Sequence, residues 1–179
     1  LIYSERSKSF TLTAVYVSGV VLEIKFGHRN RSFQSHPSKR NTYDASTNCP
    51  PMTVAVIGAS GYLGEYVTDE LLDRGYEVVA FDLQPSEAIN SRAAESGALT
   101  VERGDMQSFA TLSRMLTRYD VDSIIQLAYY GTPENGLLDS AQENPYEATN
   151  TNVKGFNNIV EAARQFDIDS VVWASSTVV

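Results

Sequence analysis

The segment Thr53-Val54-Ala55-Val56-Ile57-Gly58-Ala59-Ser60-Gly61-Tyr62-Leu63-Gly64 constrains the fold more than any other part of this chain. A run of strand formers ends at a glycine, and two more glycines come after it at three-residue intervals. An amphipathic pattern then begins, with Leu63, Tyr66, Val67 and Leu71 recurring at helical spacing. An unbroken apolar strand of this kind suits a parallel sheet covered on both faces. In a strand–turn–helix unit of this type, the first glycine allows a sharp exit from the strand. The second lets an anion approach the backbone, and the third lets the helix pack closely on the sheet. The free N–H groups and positive dipole of the helix start then face the anion. The unit is therefore expected to cradle the pyrophosphate of a dinucleotide, with Gly58, Ser60, Gly61, Tyr62, Leu63 and Gly64 around it.

The residues downstream agree with that expectation. Arg74 lies in the last turn of the helix, and Gly75 is a natural C-terminal stop. A second strand, Glu77-Val78-Val79-Ala80-Phe81, ends at Asp82, 24 residues after Gly58. An acid about 20 residues beyond the glycines suits the adenosine ribose hydroxyls and repels a 2′-phosphate, which predicts NAD rather than NADP.

Strands and helices continue to alternate. Residues 85–96 read as a helix opening at Pro85, and 98–102 as a third strand ending before Arg103-Gly104-Asp105. Residues 108–119 read as a helix with Phe109, Leu112, Met115 and Leu116 on one face, and 121–127 as a fourth strand. Residues 128–144, broken by Gly131, Pro133 and Gly136, read as a long loop. A long helix opens near Pro145 with Phe156, Ile159, Val160, Ala163 and Phe166 on its core face. Residues 169–174 form a fifth strand, with Trp173 expected in the core. This alternation predicts an α/β fold, a Rossmann-type doubly wound parallel sheet in three αβα layers, with five strands in the order 3-2-1-4-5.

Charge divides the chain. Residues 1–51 hold seven Lys/Arg and three Asp/Glu, a net of +4, whereas residues 52–179 hold seven and 19, a net of −12. The acidic part disfavours a nucleic-acid role, which needs a basic footprint. It fits either an ordinary acidic cytoplasmic domain or one adapted to high salt, where screening relieves self-repulsion. Residues 1–51 read as an N-terminal extension. Phe10 to Ile24 contains a candidate hairpin around Ser18-Gly19, and 27–51 have a polar, disorder-like composition. The apolar run is interrupted by Glu23 and Lys25, lacks a cleavage pattern, and is too short to span a membrane. Met52 is the expected natural start, so that the cofactor domain occupies residues 52–179. The single cysteine, Cys49, rules out an intrachain disulfide, and His28 and His36 have no third ligand at metal-binding spacing, so no metal site is expected.

Several of these segments together resemble one family. Gly58-Ala59-Ser60-Gly61-Tyr62-Leu63-Gly64 resembles the GxxGxxG of the extended short-chain dehydrogenase/reductases, the NAD-dependent epimerase/dehydratase group that acts on nucleotide sugars. Asp82-Leu83 resembles that family's acid after strand two, and Gly104-Asp105-Met106 its Asp-hydrophobic pair beside the adenine. Gln126-Leu127-Ala128-Tyr129 resembles its His-Leu-Ala-Ala stretch under the nicotinamide ribose, with Gln126 and Tyr129 as departures. Thr151-Asn152-Val153-Lys154-Gly155 and residues 159–164 resemble the helix after strand four, and residues 173–179 the end of strand five. The resemblance covers about 127 of the 179 residues, from 53 to 179.

The resemblance implies a cytoplasmic enzyme that transfers hydride at a carbon of a nucleotide sugar, with a homodimer left open for the full-length protein. It implies Asp82, Leu83, Asp105, Met106, Leu127, Ala128, Tyr129 and Thr151 as further cofactor contacts, and Ser176 as the catalytic hydroxyl, with Thr177 as runner-up. Asp105 has a second reading as a cap for a helix over 107–118. Tyr129 and Tyr130 fit a nicotinamide wall, a substrate wall or simple packing, and Asn152 reads as a structural tie between loops. The family's Tyr-x-x-x-Lys acid/base pair is not in this sequence. The four lysines, Lys8, Lys25, Lys39 and Lys154, are preceded four residues earlier by Ser4, Val21, Ser35 and Asn150. The expectation is an N-terminal part of a longer enzyme, inactive by itself. A noncatalytic NAD(P)-sensing module and a misplaced reading frame remain as alternatives.

Overall fold

The computed structural model describes residues 14–17, 20–23, 51–132 and 135–174. The backbone divides into two compact units, residues 1–41 and 42–179. In the first, β1 (Ala14–Val17) pairs antiparallel with β2 (Val20–Glu23), Val17 opposite Val20, which is the hairpin expected around Ser18-Gly19. The disorder expected over 27–51 lies outside the described residues apart from residue 51.

The second unit is built on a parallel sheet of β3 (Thr53–Ile57), β4 (Glu77–Asp82), β5 (Leu99–Arg103), β6 (Ser123–Gln126) and β7 (Ser170–Trp173). Its order is β5-β4-β3-β6-β7. Counted within this sheet, that is the expected 3-2-1-4-5. All five residues of the central strand β3 are buried, as its unbroken apolar sequence requires. Side chains alternate between the two faces of a strand. Ala55, Ile57, Val79 and Phe81 pack with Leu112, Met115 and Leu116 of α3 (Phe109–Tyr119) and Ile159, Ala162 and Ala163 of α6 (Phe156–Gln165) in the main core. The intervening residues Val54, Val56, Val78 and Ala80 are equally buried, and α1 (Tyr62–Asp73) and α2 (Glu87–Glu95) bury Val67, Leu71 and Ile89.

Several details differ from expectation. The buried stripe of α1 is Gly64, Val67, Thr68 and Leu71, so Leu63 and Tyr66 face out, 40% and 52% exposed. A glycine, not a large apolar residue, brings this helix against the sheet. Helix α2 starts after Ser86, whose Oγ accepts the Ile89 N–H at 3.2 Å. Pro85 therefore precedes the cap rather than opening the helix. The expected loop over 128–144 contains a helix, α4 (Gly136–Glu143), whose glycine start (φ 66°) disguised it as a breaker. The long helix near Pro145 is composite. A short α5 (Pro145–Thr149) runs into a π-helical segment, Asn150–Gly155, and then into α6. Val160 is 46% exposed and Trp173 40%, not core residues. Trp173 closes a strand hydrogen-bonded on one side only among the described residues, and its ring tilts against Phe156 with centroids 5.6 Å apart. Gly75 does end α1 as expected, at φ 81°, donating its N–H to Leu72 O at 2.9 Å.

Candidate functional site

The three glycines of the opening turn are held by close backbone approaches. Gly58 sits at φ 86° and donates to Phe81 O at 2.9 Å. A Cβ there would lie 2.6 Å from Ala128 N, so the turn after β3 rests directly on the chain leaving β6. Gly61 donates to Gly58 O at 3.2 Å. A Cβ on Gly64 would collide with Gly58 O and stand 2.7 Å from Ala59 C. Helix α1 therefore begins with its backbone against the turn.

Gly61 caps this helix without any side-chain acceptor, and the first intrahelical bond runs from Glu65 N–H to Gly61 O at 3.1 Å. The N–H groups of Tyr62, Leu63 and Gly64 thus have no intrahelical acceptor. Together with the helix dipole they form a cradle suited to an anion. Tyr62 is 69% exposed and packs edge-on against Tyr66.

The acid at the end of β4 reaches back to this turn. One Asp82 oxygen accepts the Ser60 N–H at 2.9 Å and the other accepts the Gln84 N–H at 3.0 Å. A carboxylate has about four acceptor positions, so capacity remains for hydroxyl donors. Ser60 Oγ accepts the Ser86 N–H at 2.9 Å, and Ser86 Oγ donates to Glu65 at 2.9 Å. The network therefore ties the glycine turn to the starts of both α1 and α2. Leu83 is exposed, and its carbonyl accepts Arg103 Nε at 3.1 Å.

Beyond β5, Asp105 accepts the Gln107 N–H at 2.8 Å. It shapes the turn before α3, whose cap is Ser108, so the second reading of Asp105 as the helix cap is corrected. Met106 is buried and packs on Gly155, where a Cβ would stand 2.6 Å from Met106 Cε. Thr151 Oγ1 accepts Gln107 Nε2 at 3.1 Å.

On the other side of Gly58, Leu127 donates to Ile57 O at 2.8 Å. Ala128 comes next, clamped by the Gln126 amide. Tyr129 Oη donates to Ala174 O at 2.5 Å, and burial pushes its phenol pKa up. Tyr130 donates its N–H to Asn152 Oδ1 at 2.8 Å, so Asn152 is the structural tie expected of it, made from the π-helical segment. Ser176 lies outside the described residues.

The structure thus gathers Gly58, Ser60, Gly61, Tyr62, Leu63, Gly64, Asp82 and Leu83 at one end of the sheet, flanked by Asp105, Met106 and Thr151 on the β5 side and Leu127, Ala128 and Tyr129 on the β6 side. Sequence reasoning missed Ser86, Gln126 and Asn158 as supports. Asn158 Nδ2 donates to Met106 O at 3.2 Å and Gln107 O at 2.8 Å. A serine just before Glu87 was a legible cap signal. Gln126 stood out only as a departure from the family's usual His, and nothing in the sequence marked Asn158. The partners of Asn158 come from a distant part of the chain, and the grip of Gln126 depends on how the backbone bends past β6. Among the described residues no three His, Cys, Asp or Glu side chains converge to hold a metal, and no helix is long and apolar enough to cross a membrane.

Comparison with known proteins agrees with this architecture. The chain is 26% identical over 125 residues to a UDP-glucose 4-epimerase of Lacticaseibacillus casei, covering 70% of this chain and 35% of that one. It is 28% identical over 123 residues to a putative UDP-glucose 4-epimerase of Methanocaldococcus jannaschii, covering 69% and 37%. The chain therefore spans little more than a third of the length of these relatives. Among solved structures, the Thermus thermophilus UDP-glucose 4-epimerase in complex with NAD superposes with a TM-score of 0.58 at 25% identity, covering 70% of this chain and 38% of that one. The Clostridium difficile L-threonine dehydrogenase gives 0.58 at 26%, covering 70% and 37%. The family model of the NAD dependent epimerase/dehydratases matches residues 54–179. The chain belongs to the NAD dependent epimerase/dehydratase family.

Proposed function

We propose that residues 53–174 bind NAD as the cofactor-binding part of an enzyme that acts on a nucleotide sugar. The observation that carries this reading is the joined geometry of turn and acid: Gly58 and Gly64 packed without room for a Cβ, Gly58 also at positive φ, three helix-start N–H groups without intrahelical acceptors, and Asp82 bonded to Ser60 within the same turn. That cradle fits a pyrophosphate, and the spare lone pairs of Asp82 fit ribose hydroxyls. Nicotinamide supplies a reversible hydride acceptor when bound.

The chain's own residues have distinct tasks in this reading. Tyr62, Leu63 and Gly64 offer backbone donors to the phosphates. Asp82 selects a free 2′-hydroxyl, since a second negative charge beside it is repelled. Asp105 and Met106 border the adenine, with Leu83 as an exposed apolar cover. Leu127, Ala128 and Tyr129 bound the other half of the cofactor, while Thr151 braces the Asp105–Met106 side through Gln107. Ser176 is assigned the hydroxyl contact to substrate. Nucleotide-sugar specificity is inferred from relatives named as UDP-glucose 4-epimerases.

Calorimetric titration of the 179-residue chain with NAD tests the reading. Binding is expected, with NADP weaker. Replacing Asp82 with Ala should weaken NAD about tenfold or more, since a charged hydrogen-bond acceptor contributes roughly 1.5–3 kcal/mol. Equal affinity of wild type and variant would sink the ribose assignment.

A further inference from the structure

Gln126 ends β6 and is 1% exposed. A buried amide must find partners for both its ends. This one finds them on a single residue. Its Nε2 donates to Ala128 O at 2.6 Å, and Ala128 N–H donates to its Oε1 at 3.3 Å. Nε2 also faces Met106 Sδ at 3.8 Å. The side chain serves Ala128 as a neighbouring peptide serves a strand residue, at the first position past the sheet ladder.

Ala128 is also the residue on which the glycine turn rests, because the space a Cβ on Gly58 would need is filled by Ala128 N at 2.6 Å and Cα at 2.8 Å. The placement of Ala128 therefore sets the distance between the glycine turn and the wall that leaves β6. The next two residues are held from other elements. Tyr129 Oη is held by Ala174 O, and the Tyr130 N–H by Asn152.

We propose that Gln126 is a positioning residue that, through its two hydrogen bonds to Ala128, sets the β6-side wall of the cofactor cradle and so governs affinity for the half of the dinucleotide beyond the pyrophosphate. This rests on the NAD reading of the site. Asp82 takes the adenosine half on the β4 side, so the other half crosses Gly58 toward Ala128. Met106, which touches both the Gln126 amide and Gly155, links this wall to the π-helical segment.

The test uses Gln126→Met, which keeps the volume and apolar packing and removes both bonds, and Gln126→Glu, which keeps the acceptor for the Ala128 N–H. NAD and ADP affinities are measured by calorimetry, and exchange of the Ala128 amide by NMR. Gln126→Met should weaken NAD about tenfold while leaving ADP within about twofold. The Ala128 amide should exchange at least about tenfold faster, and Gln126→Glu should fall between. Equal losses for NAD and ADP would reduce Gln126 to a structural residue and overturn the proposal, as would unchanged exchange at Ala128. If wild type binds neither ligand, the cofactor reading fails, and the exchange rates alone decide whether Gln126 positions the wall.

Discussion

Gly64 lies within helix α1, where alanine is ordinarily preferred to glycine by about 1 kcal/mol. The structure reverses that sign. A Cβ at Gly64 would overlap Gly58 O and approach Ala59 C and Cα at 2.7 Å. All three are backbone atoms of the glycine turn, and that turn cannot retreat because Ala128 N stands 2.6 Å from the Gly58 Cβ position. Overpacking costs about 1–3 kcal/mol, and the absence of any flexible side chain to give way places Gly64→Ala at the top of that range. Subtracting the helix preference leaves a net loss of about 2 kcal/mol, or roughly 4–8 °C in Tm for a chain of this size. Gly97→Ala is the matched control, since nothing lies within 4 Å of its Cβ position. It should be neutral or stabilising by less than about 1 kcal/mol. Urea denaturation and thermal melts of both variants decide the matter. If Gly64→Ala is as stable as Gly97→Ala, helix α1 does not need contact with the turn, and the cradle is not rigid for the reason given. A displaced α1 should also weaken NAD, so calorimetry on the same variant gives a second reading.

Further outcomes are expected elsewhere. Gly155→Ala should cost clearly less than Gly64→Ala, because the atoms in the way, Met106 Cε at 2.6 Å and Cγ at 3.0 Å, belong to a flexible side chain and not to backbone; a loss as large as at Gly64 in the melt would contradict this. Ser86→Ala should cost about 1 kcal/mol in urea titration by uncapping α2 and releasing Glu65. The Arg164 guanidinium, then Gln165, hold the Glu161 carboxyl down at about 2 from 4.5; Arg164→Ala should return it toward 4.5 in an NMR titration. Because the folded value is depressed, whatever stability this exposed pair adds is present above 4.5 and lost as pH falls through about 2. The 179-residue chain should show no turnover with UDP-sugars, and measurable epimerisation would refute the need for a Tyr-x-x-x-Lys pair.

The strand–glycine–helix unit, the sheet order and the two acids were legible because each rests on local chemistry. Val54 to Ile57 suit a covered strand, Gly58 and Gly75 occupy positive φ, and the α/β alternation leaves a parallel sheet with right-handed crossovers as the ordinary outcome. Helix α4 was not legible, since Gly136 and Pro133 read as breakers and its start depends on a left-handed glycine. Nor was the π-helical segment, whose six residues look like ordinary helix in sequence. Helical spacing put Leu63, Tyr66 and Val160 toward the core and its place in the fifth strand put Trp173 there, yet all four are substantially exposed.

By itself, then, the sequence determined which segments pair, which turn suits an anion and which acid comes after it, because spacing and residue type act over a few positions. Only the tertiary structure decided that Asp82 bonds the Ser60 N–H, that Gln126 grips Ala128, and that Ala128 stands where a Gly58 side chain would be. The first and last of these join segments adjacent in the sheet but far apart in the chain, the Gln126 grip depends on how the backbone bends past β6, and close packing fixes all three to tenths of an ångström.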